Sequence, residues 1–256
     1  MTAAAVVLAA LVGLIVGSFL TVVTSRVPAG LSITAPRSRC PICATPIRPA
    51  DNVPLVSYVL CRGRCRSCRA HISVRYPATE LATAVLFGLT AARATTLWVV
   101  PAYCVLAAGL VALTVIDLEL MRLPTAIIAA TGLIGAPLLV LASVATRDDA
   151  ALLRVLVAGA AGFALFGAIF LAAPRGMGFG DVRLAALCGG FLGWLGYRVA
   201  TVGLLASFVL AGVIALALIA AGRAGRKTRL PFGPFLAVGT LVAVFYGVPI
   251  GRVWLG

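Results

Sequence analysis

Long apolar runs separated by short polar segments dominate the pattern of hydrophobic and polar positions along this chain. A membrane-spanning α-helix needs about 20 predominantly apolar residues. The pattern predicts eight such helices, the second and sixth of them short: residues 3–24, 78–92, 96–116, 124–145, 152–173, 182–196, 199–221 and 232–248. The predicted fold class is an all-α polytopic membrane protein with one large polar insertion, residues 25–77, after the first helix.

Composition agrees with this prediction, because 62% of the 256 residues are hydrophobic and 11% are charged. Soluble domains carry roughly 25% charged residues. Basic residues outnumber acidic ones 21 to 7, an excess that membrane proteins concentrate in cytoplasmic loops. No basic surface interleaved with aromatic residues is evident, so membrane lipids are predicted partners and nucleic acid is not.

The charge distribution also predicts how the helices are oriented in the membrane. Residues 80–116 could form one long helix or two spans broken near Arg93. With two spans, the loops 25–77, 117–123, 174–181 and 222–231 share one face, and the first and last of these hold nine and four basic residues. The positive-inside rule therefore favours eight helices with both termini outside. The first helix is predicted to be retained, since no basic residues precede it as they do in a secretory signal.

The insertion contains two cysteine pairs, Cys40 with Cys43 and Cys65 with Cys68. Paired thiolates at this spacing are typical of tetrahedral structural zinc sites. Disulfides are the alternative, but they need an oxidising compartment, and the orientation places this loop in the cytoplasm. Cys61 could replace Cys65 as a ligand, with His71 a weaker substitute. The zinc would stabilise a loop whose core is too small to fold alone.

Two aspartates are candidates for catalysis. Asp117 closes an apolar run, and Asp181 follows the glycine-rich residues 176–180 at the predicted start of a helix. Carboxylates at a membrane border are costly and are therefore functional candidates. Two of them at short distance share one proton, so one can activate water while the other protonates a leaving amine. This chemistry predicts aspartyl proteolysis of membrane-embedded substrates.

Other interpretations of these carboxylates stay open from the residues alone. Asp181 could be an ordinary N-cap, and the two aspartates could pair separately with Arg122 and Arg175. A transporter that relays ions through intramembrane carboxylates is a further alternative. Glu80, at the entry to the second helix, is either a helix-terminal charge or part of a second active site.

Taken together, the motifs resemble those of the bacterial prepilin leader peptidases, membrane aspartyl proteases that process type IV pilins and type II secretion pseudopilins. The resemblance covers nearly the whole chain. It rests on the order of these motifs: Gly17-Ser18-Phe19-Leu20, Arg26-Val27-Pro28, the two cysteine pairs, Asn52-Val53-Pro54-Leu55-Val56-Ser57-Tyr58, Arg75-Tyr76-Pro77 with Glu80, Ile116-Asp117 with Leu123-Pro124, Met177-Gly178-Phe179-Gly180-Asp181-Val182 and Pro231-Phe232-Gly233-Pro234-Phe235.

The resemblance implies that Asp117 and Asp181 are the catalytic pair and that the four paired cysteines bind zinc. It implies a cytoplasmic-side cut after a glycine, before the hydrophobic helix of a prepilin or pseudopilin substrate. Many members then N-methylate the new N-terminus with S-adenosylmethionine. That activity is expected in residues 1–92, and peptidase activity in residues 93–256.

Three residues depart from the family pattern. Thr21 stands where asparagine is usual, Thr125 where an acidic residue is common, and Arg183 where lysine is usual. The first lies in the N-terminal region and bears on methylation more than on cleavage. The other two flank the expected catalytic aspartates.

Overall fold

The computed structural model describes residues 2–174, 176–223, 225, 228 and 230–254, with the backbone alone for residues 49, 50, 248, 249 and 251–254. The regular secondary structure of this part of the chain is helical, apart from two isolated β-bridges in the polar insertion, which otherwise consists largely of turns. Its helices are α1 (Ala3–Arg26), α2 (Val56–Leu60), α3 (Arg75–Arg93), α4 (Val100–Leu120), α5 (Thr125–Thr146), α6 (Ala150–Ala172), α7 (Phe179–Leu195), α8 (Tyr197–Ala220) and α9 (Gly233–Trp254), with short 3₁₀ turns at Pro49–Asn52 and Leu97–Val99.

A long helix covers each of the eight predicted apolar segments, and the all-α fold class is confirmed. In the described part of the chain, five helices are long and apolar enough to cross a membrane: Ala3–Arg26, Leu97–Leu120, Thr125–Thr146, Ala150–Ala172 and Tyr197–Ala220. Several of them leave large apolar side chains exposed, such as Leu133 and Leu171. That α3, α7 and α9 also span the membrane, and that both termini lie outside, remains a prediction.

Two compact units divide the chain at residues 97 and 98. In the first, α1 and α3 pack closely and antiparallel. A Cβ added at Gly13 would lie 2.7 Å from Cα of Ala84, and one added at Gly17 would lie 2.7 Å from Cα of Glu80. Small residues spaced four apart allow helix backbones this close approach.

The second unit contains α4 to α9, with glycines again at the closest helix contacts. A Cβ at Gly162 of α6 would lie 2.6 Å from the carbonyl oxygen of Ala185 in α7. Buried polar side chains bond between helices, as hydrocarbon surroundings require. Tyr103 donates its hydroxyl to the Phe191 carbonyl at 2.6 Å, and Trp194 donates its indole N–H to the Ser143 hydroxyl at 2.9 Å. These bonds fix α4 and α5 against α7.

Candidate active site

Asp117 lies in the last turn of α4 and is only 5% exposed. Its Oδ2 atom accepts a hydrogen bond of 2.9 Å from the backbone N–H of Gly233, the first residue of α9. The first N–H groups of a helix have no partner within that helix, and the dipole places partial positive charge there. The N-terminus of α9 therefore supplies both a donor and a favourable field for the Asp117 carboxylate.

Asp181 lies in the first turn of α7 and is 8% exposed. The helix begins at Phe179, so Asp181 is its third residue, and the interpretation of Asp181 as the N-cap is wrong. The backbone N–H of the N-cap, Gly178, donates to Asp181 Oδ2 at 3.0 Å, and Asp181 N–H donates back to the Gly178 carbonyl at 3.1 Å. This reciprocal pair holds the carboxylate at the helix start.

One side chain, Leu123, lies against the neighbours of both aspartates. A Cβ at Gly180, the residue before Asp181, would lie 2.8 Å from Leu123 Cβ. A Cβ at Gly233, the donor to Asp117, would lie 3.1 Å from Leu123 Cδ2. The structure thus brings the two sequence-predicted aspartates together at one end of the second unit.

The backbone hydrogen bonds described above involve only one oxygen of each aspartate. Among the described residues, hydrogen bonds reach Oδ2 of Asp117 and of Asp181, and none is formed to either Oδ1. Ion pairs in this part of the chain join Arg66 to Asp51 and Arg154 to Asp148, so the alternative in which an aspartate pairs with Arg122 finds no support. Arg175, the other proposed partner, lies outside the described residues.

Thr125 and Arg183, two of the three departures from the family pattern, contact each other. The Arg183 guanidinium donates to the Thr125 hydroxyl. It also lies over the ring of Phe179, with Cζ 4.6 Å from the ring centroid, a favourable cation–π geometry. Because Thr125 opens α5 and Arg183 follows Asp181 by two residues, this contact ties the segment after Asp117 to the first turn of α7.

The four predicted zinc ligands form one cluster in the first unit. The Sγ atoms of Cys40, Cys43, Cys65 and Cys68 all lie within 4.8 Å of one another, and the cysteines are free thiols. Hydrogen bonds from the side chain and backbone of Thr45 lower the pKa of Cys43 to about 6, and the backbone N–H groups of Cys68 and Ser67 lower the pKa of Cys65. Although the backbone hydrogen bond from Ala70 lowers it, the pKa of Cys68 is instead raised to about 11 by burial and by hydrogen bonds with the other three thiols. Thiolates are the metal-binding form, and four soft sulfur ligands favour zinc.

Both cysteine pairs adopt the same turn. The N–H of Ala44 donates to the Cys40 carbonyl and that of Arg69 to the Cys65 carbonyl. Ala44 and Arg69 each have a positive φ, of 57° and 62°. Each turn is closed by one β-bridge, Arg39 to Pro46 in the first and Arg64 to His71 in the second.

His71 and Cys61, the two alternative zinc ligands, both lie outside the four-cysteine cluster. His71 occupies in the second turn the bridging position that Pro46 occupies in the first, so its backbone closes the turn and its side chain lies outside the cluster. Cys61 also lies outside the cluster, with its sulfur 3.9 Å from a guanidinium nitrogen of Arg66. The alternatives with Cys61 or His71 as ligand are therefore not supported.

Comparisons with known proteins identify the family of this chain. The family model described as the bacterial peptidase A24 N-terminal domain matches residues 11–94, and that of the type IV leader peptidase family matches residues 104–220. The chain belongs to the type IV leader peptidase family. No solved structure matches it.

Curated relatives named prepilin leader peptidase/N-methyltransferase are similar over most of their length. The protein from Pseudomonas aeruginosa is 32% identical, with 96% of this chain and 91% of the relative covered. The protein from Bacillus subtilis is 35% identical, with 92% of each chain covered. That from Neisseria gonorrhoeae is 36% identical, with 91% of this chain and 88% of the relative covered.

For this member of the family, sequence reasoning missed the roles of two residues around the aspartates and one contact between two others. Gly233 was part of a recognised motif with no assigned chemistry, and Leu123 was noted only as part of a Leu-Pro pair. The contact between Thr125 and Arg183 was not foreseen, although both positions stood out as departures. The available signal is that Leu123 and Gly233 each belong to a family motif where a loop meets a helix, and such segments often carry functional groups.

Proposed function

We propose that this chain is a membrane prepilin peptidase in which Asp117 and Asp181 form the catalytic pair. The observation that carries this assignment is the convergence of two buried carboxylates at the ends of α4 and α7, each held through Oδ2 by a glycine N–H. Members of the family to which the chain belongs are named for cleavage of prepilin leaders. The pair is the chain's best-supported source of general acid–base chemistry.

The geometry supports a division of roles within the pair. Two neighbouring carboxylates cannot both ionise cheaply, so they hold one proton between them. The ionised partner takes a proton from water as the water oxygen attacks the scissile carbonyl carbon. The protonated partner supports the carbonyl oxygen and then delivers its proton to the leaving amine. We assign these proton transfers to Oδ1 of each aspartate, because each Oδ2 accepts a hydrogen bond from the backbone.

The glycines around the pair suit an extended substrate strand. Gly176 and Gly178 lack side chains, and the nearest atom to a Cβ added at either would be 3.5 Å away, whereas Gly180 packs against Leu123. A substrate backbone can therefore approach this segment without meeting bulky groups. The substrate class is a prepilin or pseudopilin with its hydrophobic helix in the lipid, cut at the cytoplasmic face.

We further propose that the region 1–92 carries zinc as a structural element and N-methylates the new N-terminus with S-adenosylmethionine, while the region 93–256 carries the peptidase. The curated relatives combine both activities in their names. The proposed topology, an inner-membrane protein with both termini outside, puts the zinc loop and both aspartates on the cytoplasmic side. The abundance of arginine in residues 25–77 supports that side.

Cleavage of a purified prepilin by wild type, Asp117→Asn and Asp181→Asn in detergent tests the catalytic assignment. Either substitution should lower the cutting rate by about 100-fold or more, since it removes a general acid or base. Glu119→Gln is the matched control, because Glu119 is an exposed carboxylate on the same helix, two residues from Asp117. Retained cutting in either aspartate variant would refute the pair. Failure of wild type to cut would favour the transporter alternative.

A further inference from the structure

A cavity of about 390 Å³ lies in the first unit, between α1 and the polar insertion. Ser18 and Phe19 of α1 form part of one side, and Arg37 with Asn52 and Pro54 of the insertion forms part of the other. Neither the aspartate pair nor the four-cysteine cluster contributes a residue to its wall. Two sequence motifs that peptidase chemistry leaves unexplained therefore meet at this cavity.

Arg26, in the last turn of α1, fixes the part of the insertion that follows it. Its guanidinium donates to the Ser32 carbonyl at 2.9 Å and to the Pro36 carbonyl at 2.7 Å. Pro36 and Arg37 both line the cavity. The two hydrogen bonds of Arg26 therefore hold the segment that carries Arg37 against the end of α1.

Glu80 fixes another part of the wall. Its Oε2 atom accepts the N–H of Leu55 at 2.8 Å, next to Pro54. Leu55 has a φ of +60°, which is costly for a side chain of this kind and persists only when surrounding contacts hold it. Glu80 is itself buried and packs against Gly17. The interpretation of Glu80 as a simple helix-terminal charge misses this contact, which positions the backbone beside the cavity.

One face of α1 leads into this cavity from the middle of the helix. Ile15, Phe19, Val22 and Arg26 all line the cavity, at successive spacings of four, three and four residues that place them on one side of a helix. Ile15 and Phe19 are exposed. From Ile15 to Arg26 the axis of a helix rises by about 16 Å, close to half of the roughly 30 Å hydrocarbon core of a bilayer. This apolar stripe therefore has the length of one leaflet and ends at an arginine.

The charges on the cavity wall select an anion. Among the described residues that line it, Arg26 and Arg37 are the charged ones, and neither an aspartate nor a glutamate is present. Asp51 comes next to Asn52 in the chain, but Arg66 binds its carboxylate at 2.6 Å, away from the cavity wall. Arg26 is occupied with backbone carbonyls, whereas Arg37 is exposed. A guanidinium matches the geometry of a phosphate, so Arg37 is the residue that can bind one.

We propose that this cavity binds the headgroup of an anionic phospholipid, with Arg37 on the phosphate and an acyl chain along Ile15, Phe19 and Val22 of α1. A phosphodiester with a glycerol headgroup matches a wall that offers positive charge, the Ser18 hydroxyl and no acidic group for an ammonium. The cavity volume lies near the lower end of the range of about 300–1,000 Å³ for small-molecule pockets, which suits a headgroup whose acyl chains stay outside.

The membrane side of the site agrees with this ligand class. Anionic lipids are concentrated in the cytoplasmic leaflet, where basic pockets at the ends of transmembrane helices bind their headgroups. The proposed topology puts the polar insertion on that side. A bound lipid would contact both α1 and the segment that carries Arg37, and would thereby hold the insertion at the membrane surface. A soluble phosphate could use Arg37 but would leave the apolar stripe of α1 without a role.

Native mass spectrometry of the delipidated full chain in detergent tests this site, with equal amounts of phosphatidylglycerol and phosphatidylethanolamine added together. Both lipids carry the same acyl chains, so their ratio on the protein reports headgroup selection. Wild type should favour phosphatidylglycerol roughly threefold to tenfold, the range expected for a charge-assisted contact that is partly exposed to solvent. An excess of glycerol 3-phosphate should not displace the lipid, because it lacks the acyl chains.

Two matched pairs of variants locate the site. Arg37→Ala should abolish the preference, whereas Arg48→Ala should keep it, since Arg48 is an exposed arginine of the same insertion that does not line the cavity. Phe19→Ala should lower the occupancy of phosphatidylglycerol by removing apolar contact area. Leu8→Ala is its control, because Leu8 is an exposed leucine nearer the other end of α1. The unfolding midpoint of each protein without lipid shows that it is folded.

A preference in wild type and Arg48→Ala that Arg37→Ala lacks, together with lower occupancy in Phe19→Ala alone of the second pair, supports the proposal. Equal retention of both lipids by wild type would overturn the selection of an anion. Equal losses in Arg37→Ala and Arg48→Ala would show that the insertion attracts lipid only through its overall charge. Displacement by glycerol 3-phosphate would overturn the lipid in favour of a soluble phosphate.

Discussion

The backbone N–H of Gly233 donates to the carboxylate of Asp117 at 2.9 Å, although 116 residues separate them in the chain. This bond joins the last turn of α4 to the first residue of α9. Asp181 has the equivalent arrangement at the first turn of α7, where Gly178 is the donor. Each carboxylate thus accepts a hydrogen bond at the N-terminus of a helix, α9 for Asp117 and α7 for Asp181, and this bond orients it.

Gly233→Ala should impair cutting because the new Cβ would lie 2.7 Å from Asp117 Oδ2 and displace the carboxylate. Misplacement of a catalytic group by about 1 Å can cost on the order of 100-fold, so we expect a fall of roughly 10- to 100-fold in kcat. Prepilin cleavage assays measure it. Gly212→Ala on α8 is the control, since a Cβ there meets open space. Equal rates for the two variants would show that this bond does not position Asp117.

Thr125 and Arg183 should affect prepilin cleavage through the hydrogen bond that they share. Thr125→Val removes the hydroxyl that accepts from Arg183, and we expect cutting to fall roughly threefold to tenfold, with Arg183→Gln giving a similar loss. The double variant should be no worse than either single one, because both remove the same contact. Thr125→Glu should keep activity, since a carboxylate can accept from the same guanidinium. Additive losses in a double-mutant cycle would contradict this coupling.

The assignment of four cysteines as zinc ligands predicts which cysteine substitutions lose the metal. Cys65→Ser should lose the metal and lower the midpoint of thermal unfolding of the first unit, because metal binding and folding are coupled. Cys61→Ser should keep about one zinc per chain, since Cys61 lies outside the cluster. Elemental analysis of the purified variants measures this. Zinc loss in Cys61→Ser with retention in Cys65→Ser would reverse the ligand assignment.

The ion pair of Asp148 near the start of α6 should make the stability of the folded chain depend on pH. Asp148 pairs with Arg154 at 2.7 Å and accepts the N–H of Ala151. The hydrogen bond from Arg154 lowers the pKa of Asp148. The stability it contributes is present above the unfolded-state pKa of about 3.9 and is lost as pH falls through the lower folded-state value.

Asp148→Asn should therefore lower the unfolding midpoint slightly near neutral pH, and the difference from wild type should vanish in strong acid. The effect is small because the pair is partly exposed to solvent. Thermal unfolding of both proteins across the acid range measures it, with Asp149→Asn as the control. A difference that persists below the folded-state pKa would show that Asp148 acts through something other than its charge.

The sequence by itself determined the helices, the four-cysteine cluster and the identity of the two candidate aspartates. These features are local or nearly so: a spanning helix needs an apolar run of a given length, and a zinc site needs thiolates at a given spacing. The order of the motifs also indicated the family. None of these inferences required knowledge of which helix packs against which.

Tertiary structure alone decided the remaining contacts. The spacing left Cys61 as an alternative to Cys65, and only the three-dimensional structure places the Cys61 sulfur outside the four-cysteine cluster. The Gly233 donor, the packing of Leu123 and the Thr125–Arg183 bond join segments that lie far apart in the chain. Such contacts depend on how glycine-rich helices pack, and an apolar helix surrounded by lipid carries little sequence pattern that specifies its neighbours.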